Sequence, residues 1–252
     1  MAERIQGLIQ SHKHLTSSVA HELRTPLSRL SFSLEMLQSA EGKNLFRHLT
    51  SMQQDVAELE NLITEMLTYA RLERGTPPMQ LQKRAIIPLL SQLIERFKPE
   101  NEQKTMALRY DESYENVHVN CYESYLERAI INLVSNALRY AKSQIVIEFA
   151  CQGEQCVIHV DDDGPGIPKN KRKEALLPFS RLDNDQQNTK NLNFGLGLSI
   201  VDQIAKWHEG FVDITESSMH GSRFSLYWPC EVELPLAESA KTLAHNDKSS
   251  VA

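Results

Sequence analysis

Along the first 75 residues apolar side chains recur every three or four positions. Leu15, Val19, Leu23, Leu27, Leu30, Leu34 and Leu37 predict one long helix, and Leu45, Leu49, Met52, Val56, Leu59, Ile63, Met66 and Ala70 predict a second. The second series alternates four and three throughout, a heptad seam that favours nearly antiparallel, left-handed packing. Between the two, Ser39-Ala40-Glu41-Gly42-Lys43-Asn44 has the composition of a short helix–helix turn. Two amphipathic helices cannot enclose a core, because each leaves an apolar stripe uncovered. A four-helix bundle made by a homodimer is the economical solution, and docking of the hairpin on the chain's own C-terminal half is the competing one.

Arg74-Gly75-Thr76-Pro77-Pro78 ends the second helix and marks a boundary, beyond which the pattern changes to alternating helices and strands. Helices are expected near residues 87–97, 122–140 and 196–208. Strands are expected near 80–84, 105–110, 144–150, 155–161, 211–216 and 222–228, with a hairpin around Gly153. The whole reads as an α+β chain: a helical hairpin, then a mixed sheet covered on one face by helices. From about residue 231 the periodicity is lost, which predicts a loose tail over 231–252.

Composition narrows the function. Of 252 residues, 41% are hydrophobic and 24% charged, an ordinary globular balance. Twenty-seven basic against 33 acidic residues give a net charge of −6, so no global positive field favours nucleic acid or an anionic membrane. No apolar run approaches the roughly 18–20 residues that cross a bilayer. The N-terminal MAERIQGLIQ lacks the apolar core of a signal peptide, and a soluble chain is expected. Cys121, Cys151, Cys156 and Cys230 have neither CxxC spacing nor a metal-binding pattern and read as free thiols in a reducing compartment, with a Cys151–Cys156 bridge as the lesser alternative.

Candidate chemistry starts at His21. It stands two residues from both Val19 and Leu23, roughly 200° around the helix from each, and so points away from the apolar stripe. Ser17 and Thr25, one turn to either side, share that outer face. Pro26 is expected to weaken or kink the helix just beyond. A solvated structural histidine is the ordinary alternative. An outward imidazole beside Glu22, with a hydroxyl one turn on, suits nucleophilic chemistry, because the carboxylate can polarise the ring.

His21-Glu22-Leu23-Arg24-Thr25-Pro26-Leu27 resembles the H-box of sensor histidine kinases of the HisKA type. The resemblance implies that His21 is autophosphorylated and passes the phosphoryl group to an aspartate of a response regulator. It further implies that Glu22 assists, and that Thr25 positions a water when the regulator is dephosphorylated.

The second half carries independent signals. In Ile131-Asn132-Leu133-Val134-Ser135-Asn136-Ala137-Leu138-Arg139-Tyr140, two amides at i and i+4 interrupt an apolar helix. They read either as a polar surface or as oxygen donors for a hard cation such as Mg²⁺. Asp161-Asp162-Asp163-Gly164-Pro165-Gly166-Ile167 follows a strand, and a buried carboxylate there can accept an amine, whereas three acids are a poor phosphate cradle. Phe194-Gly195-Leu196-Gly197-Leu198 opens a helix, where backbone N–H groups favour phosphate; a glycine hinge is the equal alternative. Neither a Walker A loop nor a Rossmann fingerprint is present.

These segments resemble the N-, G1- and G2-boxes of the same kinases, and Pro178-Phe179-Ser180-Arg181-Leu182 resembles the F-box. Gly221-Ser222-Arg223-Phe224 corresponds loosely to G3. By that resemblance Asn136 binds Mg²⁺, Asn132 and Arg139 lie near the phosphates of ATP, and Tyr140 borders the base. Asp162 takes the adenine amine with Gly164, Gly166 and Ile167 beside it. Phe179, Gly195, Leu196, Gly197 and Leu198 complete the nucleotide site, and residues 183–193 form a lid.

The implied architecture is a dimeric phosphotransfer hairpin over 15–75 and an α/β sandwich of the histidine-kinase/Hsp90-like ATPase type over 76–230. Residues 1–14, with MAERIQGL, resemble the end of a HAMP linker, which implies the cytoplasmic portion of an inner-membrane protein whose membrane-spanning part precedes it. The wording VDDDGPGI with NALRY resembles Cpx- and Rst-like envelope-sensing kinases. The chain departs from the pattern at Asn191–Phe194, where glycines are common, and at Glu209, where a glycine is common. An ATPase of the wider fold family without a phosphohistidine, and a catalytically silent dimeric scaffold, are the alternatives.

Overall fold

In the computed structural model of the chain, residues 2–37, 43–73, 75, 80–97, 104–181 and 194–229 are described, with side chains from Ser17 in the first helix and from Asn44 in the second. The expected interhelical turn, the expected lid over 183–193, most of the 74–78 break and the tail from 231 lie outside them.

Helix α1 (Ala2–Leu37) and helix α2 (Lys43–Glu73) form the hairpin. Helix α1 continues through Pro26, which is buried. The proline cannot donate to the Glu22 carbonyl, yet the packing of its ring against neighbours keeps the helix unbroken. Along α2 the buried line is Asp55, Leu62, Tyr69 and Leu72, one position away from the predicted seam, none of whose residues is fully buried. Leu45, Leu49, Val56 and Ile63 of that seam are exposed, as are Leu27 and Leu34 of α1. Only one side of each stripe is therefore covered within one chain.

The cover on α2 comes from the second half, so the hairpin also docks on its own chain. Leu62, Tyr69 and Leu72 belong to one continuous apolar core with the sandwich. Trp207 Nε1–H donates to the Leu72 carbonyl at 3.0 Å.

The sandwich runs β1 (Gln82–Ala85), α3 (Ile86–Phe97), β2 (Thr105–Arg109), β3 (His118–Cys121), α4 (Glu123–Tyr140), β4 (Gln144–Gln152), β5 (Gln155–Asp162), the one-turn α5 (Arg172–Ala175), α6 (Gly197–Trp207), β6 (Phe211–Glu216) and β7 (Ser222–Pro229). The main sheet has the order β2-β4-β5-β7-β6, with β2 parallel to β4 and the other pairs antiparallel. Strand β3, absent from the sequence reading, pairs with β1 in a separate two-stranded sheet. Ile145, Ile147 and Phe149 of β4, Ile158 and Val160 of β5, and Phe224, Leu226 and Trp228 of β7 alternate onto the covered face. There they meet Leu126, Ile130 and Leu133 of α4 and Ile200, Val201 and Ile204 of α6.

The expectation of four free thiols is corrected at Cys156. That residue is disulfide-bonded, with its partner outside the described residues. Cys151 is not that partner, although its Sγ lies 4.0 Å from Cys156 Sγ at the directly opposed position of β4. Cys121 is a free, buried thiol whose pKa burial pushes up to about 11.

The end of α6 is fastened by His208. The Tyr122 N–H donates to His208 Nε2 at 2.9 Å, and His208 Nδ1 lies 2.8 Å from the Ile204 carbonyl, so the fold uses the neutral ring. Burial holds its pKa below the usual histidine value. Its contribution to stability is therefore present above the unfolded pKa of about 6.5 and is lost as pH falls below that value. A His208→Gln variant should lose less Tm than the parent between about pH 7.5 and 5.5, the remaining slope coming from other groups such as the buried His159. The next residue, Glu209, has φ 57, the left-handed conformation that costs a side chain strain and glycine none. Glu209→Gly should stabilise the chain by about 1 kcal/mol, a rise in Tm of about 2–4 °C by thermal melting.

Candidate nucleotide site and phosphoacceptor histidine

Three adjacent acids meet three different fates: alternation along β5 separates Asp161 from Asp162, and Asp163 lies just beyond the strand. Asp161 faces the uncovered side of the sheet, directly opposite Arg223 of β7, and takes its guanidinium in two hydrogen bonds of 2.8 and 2.6 Å. Asp162 has the parity of Ile158 and Val160 and lies at the edge of the covered face, buried. Its Oδ1 accepts from the Gly164 N–H at 2.8 Å and the Ser222 N–H at 3.1 Å. Asp163 fastens the turn after α4, accepting from the N–H groups of Lys142 and Ser143 and from the Ser143 hydroxyl.

Their electrostatics differ accordingly. Burial pushes the Asp162 carboxyl above the ordinary carboxylate range, further than its two backbone hydrogen bonds pull it down, and the neighbouring Asp163 and Asp161 charges push the same way. Burial opposes ionisation of Asp163 as well, but the hydrogen bonds from the 142–144 turn outweigh it and hold its pKa far below the usual range.

Asp162 lines a cavity of about 250 Å³ between the end of the sheet and helices α4 and α6. Asn136 and Tyr140 of α4 stand on one wall, Gly166 and Ile167 on a second, and Gly195, Gly197 and Leu198 at the start of α6 on a third. The cavity thus gathers eight of the thirteen nucleotide residues expected from sequence. Gly164 adjoins it through its bond to Asp162. Asn132 stands behind the wall and donates to the Gly197 carbonyl at 3.4 Å, bracing the start of α6. Arg139 lies over the Tyr140 ring, 5.6 Å from its centroid, and Phe179 and Leu196 are packed behind the lining.

Two glycines are fixed by close approach. A Cβ on Gly221 would run into the backbone of Asp162 and the N–H of Gly164, so β7 can lie against the Asp162 loop only without a side chain there. Gly195 has φ 70, and a Cβ on it would stand 2.7 Å from the Ser180 carbonyl. The Phe179 N–H donates to the Gly195 carbonyl at 2.9 Å, with Phe179 itself at φ 60. This elbow pins Ser180 and Arg181 to the glycine-rich start of α6.

Fit to a divalent cation rests on Asn136. Its side chain is buried at the cavity wall and makes no hydrogen bond among the described residues, leaving a neutral oxygen free for a hard ion that keeps waters and phosphates as its other ligands. Among the described residues no group of three or more His, Cys, Asp or Glu side chains could hold a metal without such help.

His21 is 74% exposed on the outer face of α1, as the periodicity requires. Its Nδ1 lies 3.7 Å from Glu22 Oε1. Thr25 Oγ1, on the same face, turns back to the His21 carbonyl at 3.5 Å. The contact that sequence reasoning missed comes from Arg181, which lines the cavity and places Nη1 3.5 Å from Glu22 Oε2. Its position after Phe179 in the F-box-like segment was the available signal. Nothing in the chain order says that this rim faces α1.

A helical hairpin presenting an exposed histidine, joined to a sandwich whose cavity pairs a buried aspartate with a glycine-rich helix start, defines a class. Residues 11–75 match the His Kinase A (phospho-acceptor) domain, and residues 121–232 match the histidine kinase-, DNA gyrase B- and HSP90-like ATPase family. The chain belongs to the histidine kinases and carries both domains of their core. It is 37% identical to sensor protein RstB of Escherichia coli K12 over 244 residues, covering 95% of this chain and 54% of that protein. It is 29% identical to sensor histidine kinase CpxA of the same organism, over 91% of this chain and 49% of CpxA. The chain thus spans about half the length of these curated relatives. Among solved structures, Acinetobacter baumannii histidine kinase AdeS shares the fold with TM-score 0.67 at 21% identity, over 84% of this chain and 98% of that one. Full-length ShkA in complex with AMPPNP shares it with TM-score 0.63 at 20% identity, over 89% and 45%. No helix among the described residues is long and apolar enough to cross a membrane.

Replacing Gly221 by Ala forces the Asp162 loop apart. The variant should lose at least about 1–3 kcal/mol of stability in denaturant titration, as overpacked sites do, and bind an ATP analogue more weakly by calorimetry.

Proposed function

We propose that this chain is the catalytic core of a two-component sensor kinase that uses ATP to phosphorylate its own His21 and passes the phosphoryl group to an aspartate in the receiver domain of a response regulator. The observation that carries the reading is the line from the nucleotide cavity through Arg181 and Glu22 to the exposed imidazole of His21. Glu22 lies toward Nδ1, which leaves Nε2 as the attacking nitrogen. In that step the N–P bond forms, the bond from the γ-phosphorus to the bridging oxygen breaks, ADP leaves, and the imidazole proton passes to Glu22 or to water. The catalytic demand is mostly positioning and charge neutralisation.

Within the cavity Asp162 takes the adenine amine, with Gly164, Gly166, Ile167 and Tyr140 around the base. Asn132, Arg139 and the stretch Gly195 to Leu198 serve the phosphates, with Phe179 supporting them. Asn136 holds Mg²⁺, which neutralises phosphate charge when bound. Thr25, exposed beside His21, orients a water in dephosphorylation of the regulator.

The active form is a homodimer. Leu27 and Leu34 of α1 and Leu45, Leu49, Val56 and Ile63 of α2 are each between 40% and 54% exposed, an apolar face that a second copy covers. Burying such side chains contributes roughly 1.5–3 kcal/mol each when complete. Residues 15–75 are the dimerisation and phosphotransfer domain, and 76–230 the ATP-binding domain. On the HAMP-like wording of residues 1–14, the chain is the cytoplasmic portion of an inner-membrane envelope sensor.

Incubation with γ-labelled ATP tests the assignment. The parent chain should acquire acid-labile label, and His21→Ala should acquire none while binding nucleotide with unchanged affinity. Steady phosphate release without a phosphoenzyme would instead identify an ATPase. Asn136→Ala should weaken Mg²⁺-dependent nucleotide binding by at least about tenfold, the scale on which perturbing metal-site partners reduces metal affinity.

A further inference from the structure

The nucleotide reading gives Arg181, a cation of the cavity rim, no task. Arg181 lines the cavity, its Nε is buried with no hydrogen-bond partner, and the hydroxyl of its neighbour Ser180 is likewise buried and unpartnered among the described residues. A guanidinium has five N–H donors in a rigid fork suited to carboxylate and phosphate. Here its contact to Glu22 is a single long approach of 3.5 Å, so most of that donor capacity is unmet by Glu22. The backbone beneath it is held: Phe179 and Gly195 form the elbow that ties Ser180 and Arg181 to the start of α6. The side chain can turn either to α1 or into the cavity without moving its anchor.

We propose that Arg181 is a positioning residue shared between two anions, the carboxylate of Glu22 and the phosphates of the bound nucleotide. The proposal rests on the nucleotide reading above for the identity of the second anion. Glu22 and the phosphates compete for one guanidinium. When the phosphates draw Arg181 into the cavity, the negative charge of Glu22 is left to the imidazole of His21, whose Nδ1 stands 3.7 Å away. Loading of the cavity and preparation of the acceptor are thereby linked through one side chain, and linkage of this kind is reciprocal: whatever removes Glu22 as a competitor must tighten phosphate binding.

The size of the effect follows from exposure. Arg181 and Glu22 side chains are 31% and 16% exposed, and a pair of this kind in contact with water is worth little, equivalent to a change of about two- to fivefold in an equilibrium constant. A polyphosphate carries several charges and accepts from the fork bidentately, so it wins the competition.

A double-mutant cycle on the whole chain tests this, with calorimetric affinity for a non-hydrolysable ATP analogue in Mg²⁺ and for adenosine as the phosphate-free probe. Glu22→Gln should tighten the analogue about two- to fivefold and leave adenosine unchanged. Arg181→Ala should weaken the analogue and abolish the effect of Glu22→Gln. Arg181→Lys, which keeps the charge without the fork, should restore part of both. An equal effect of Glu22→Gln in the parent chain and in the Arg181→Ala variant would overturn the proposal, as would an equal effect on adenosine, or none on the analogue. Labelling of the parent chain with γ-labelled ATP is measured alongside. Label with a null cycle removes only the role of Arg181, whereas failure of the parent chain to bind the analogue or take up label removes the kinase reading on which the proposal stands.

Discussion

Helix α6 has to satisfy two surfaces at once, and the rest of the molecule is arranged around that constraint. Its first turn, Gly197 and Leu198, forms a wall of the cavity, while its last residue, Trp207, is fastened to the Leu72 carbonyl of the hairpin. Its middle, Ile200, Val201 and Ile204, is fully buried in the core. A helix of 11 residues is about 16 Å long, so cavity and hairpin are joined by one stiff rod. Because the rod is tied at its far end to α2, the cavity rim comes to lie against α1, and Arg181 reaches Glu22. His21 and Glu22 are thus placed against the cavity rim by packing some three turns away along α6.

The acids show how little of a site's chemistry lies in residue type alone. Asp161, Asp162 and Asp163 are consecutive and identical, yet one pairs with a guanidinium, one has its pKa pushed up by burial, and one has its pKa pulled down by a ring of donors. Strand parity decides between the first two. The inward position is tolerated because two backbone N–H groups and a glycine at 221 close around Oδ1, leaving Oδ2 for whatever fills the cavity.

Much of this was legible in the sequence. The apolar periods give α4 and α6 to within a residue and locate α1 and α2, though α1 begins at Ala2, well before the series from Leu15, and the alternation in 144–150, 155–161 and 222–228 gives the three central strands. What escaped has local causes. Strand β3, His118–Cys121, is four residues with a polar–apolar pattern too short to distinguish from loop, and it exists because β1 pairs with it. Pro26 lies inside a continuous α1, where its ring is buried. The heptad series of α2 gives the helix but misses its buried apolar residues Leu62, Tyr69 and Leu72, because periodicity alone does not say which line of the helix meets the sandwich. The site residues Asn136, Tyr140, Asp162 and the glycines stand out as motifs. Arg181 stands in the F-box-like segment, but its approach to Glu22 is not legible there, because it is a contact between segments 159 residues apart.

The interior of the hairpin adds a polar term that fixes how α1 and α2 slide on one another. Arg29 Nε lies 2.8 Å from Asp55 Oδ1, and its Nη2 pairs with Glu58 Oε2, with both carboxylates almost wholly buried. Burial pushes the Glu58 carboxyl up despite Arg29, and Asp55 and Glu22 push it the same way. One guanidinium for two acids is not a strong source of stability, because the desolvation of buried charges offsets most of their attraction. It is a strong penalty against error. Slipping α1 by one turn moves Arg29 about 5 Å along α2 and strands two buried carboxylates without a cation, which costs more than any apolar contact the slip could recover. An all-leucine seam would tolerate that slip, since every turn offers a similar surface. Register set at Arg29 is carried two turns along α1 to His21 and Glu22, so these charges hold Glu22 opposite the cavity rim.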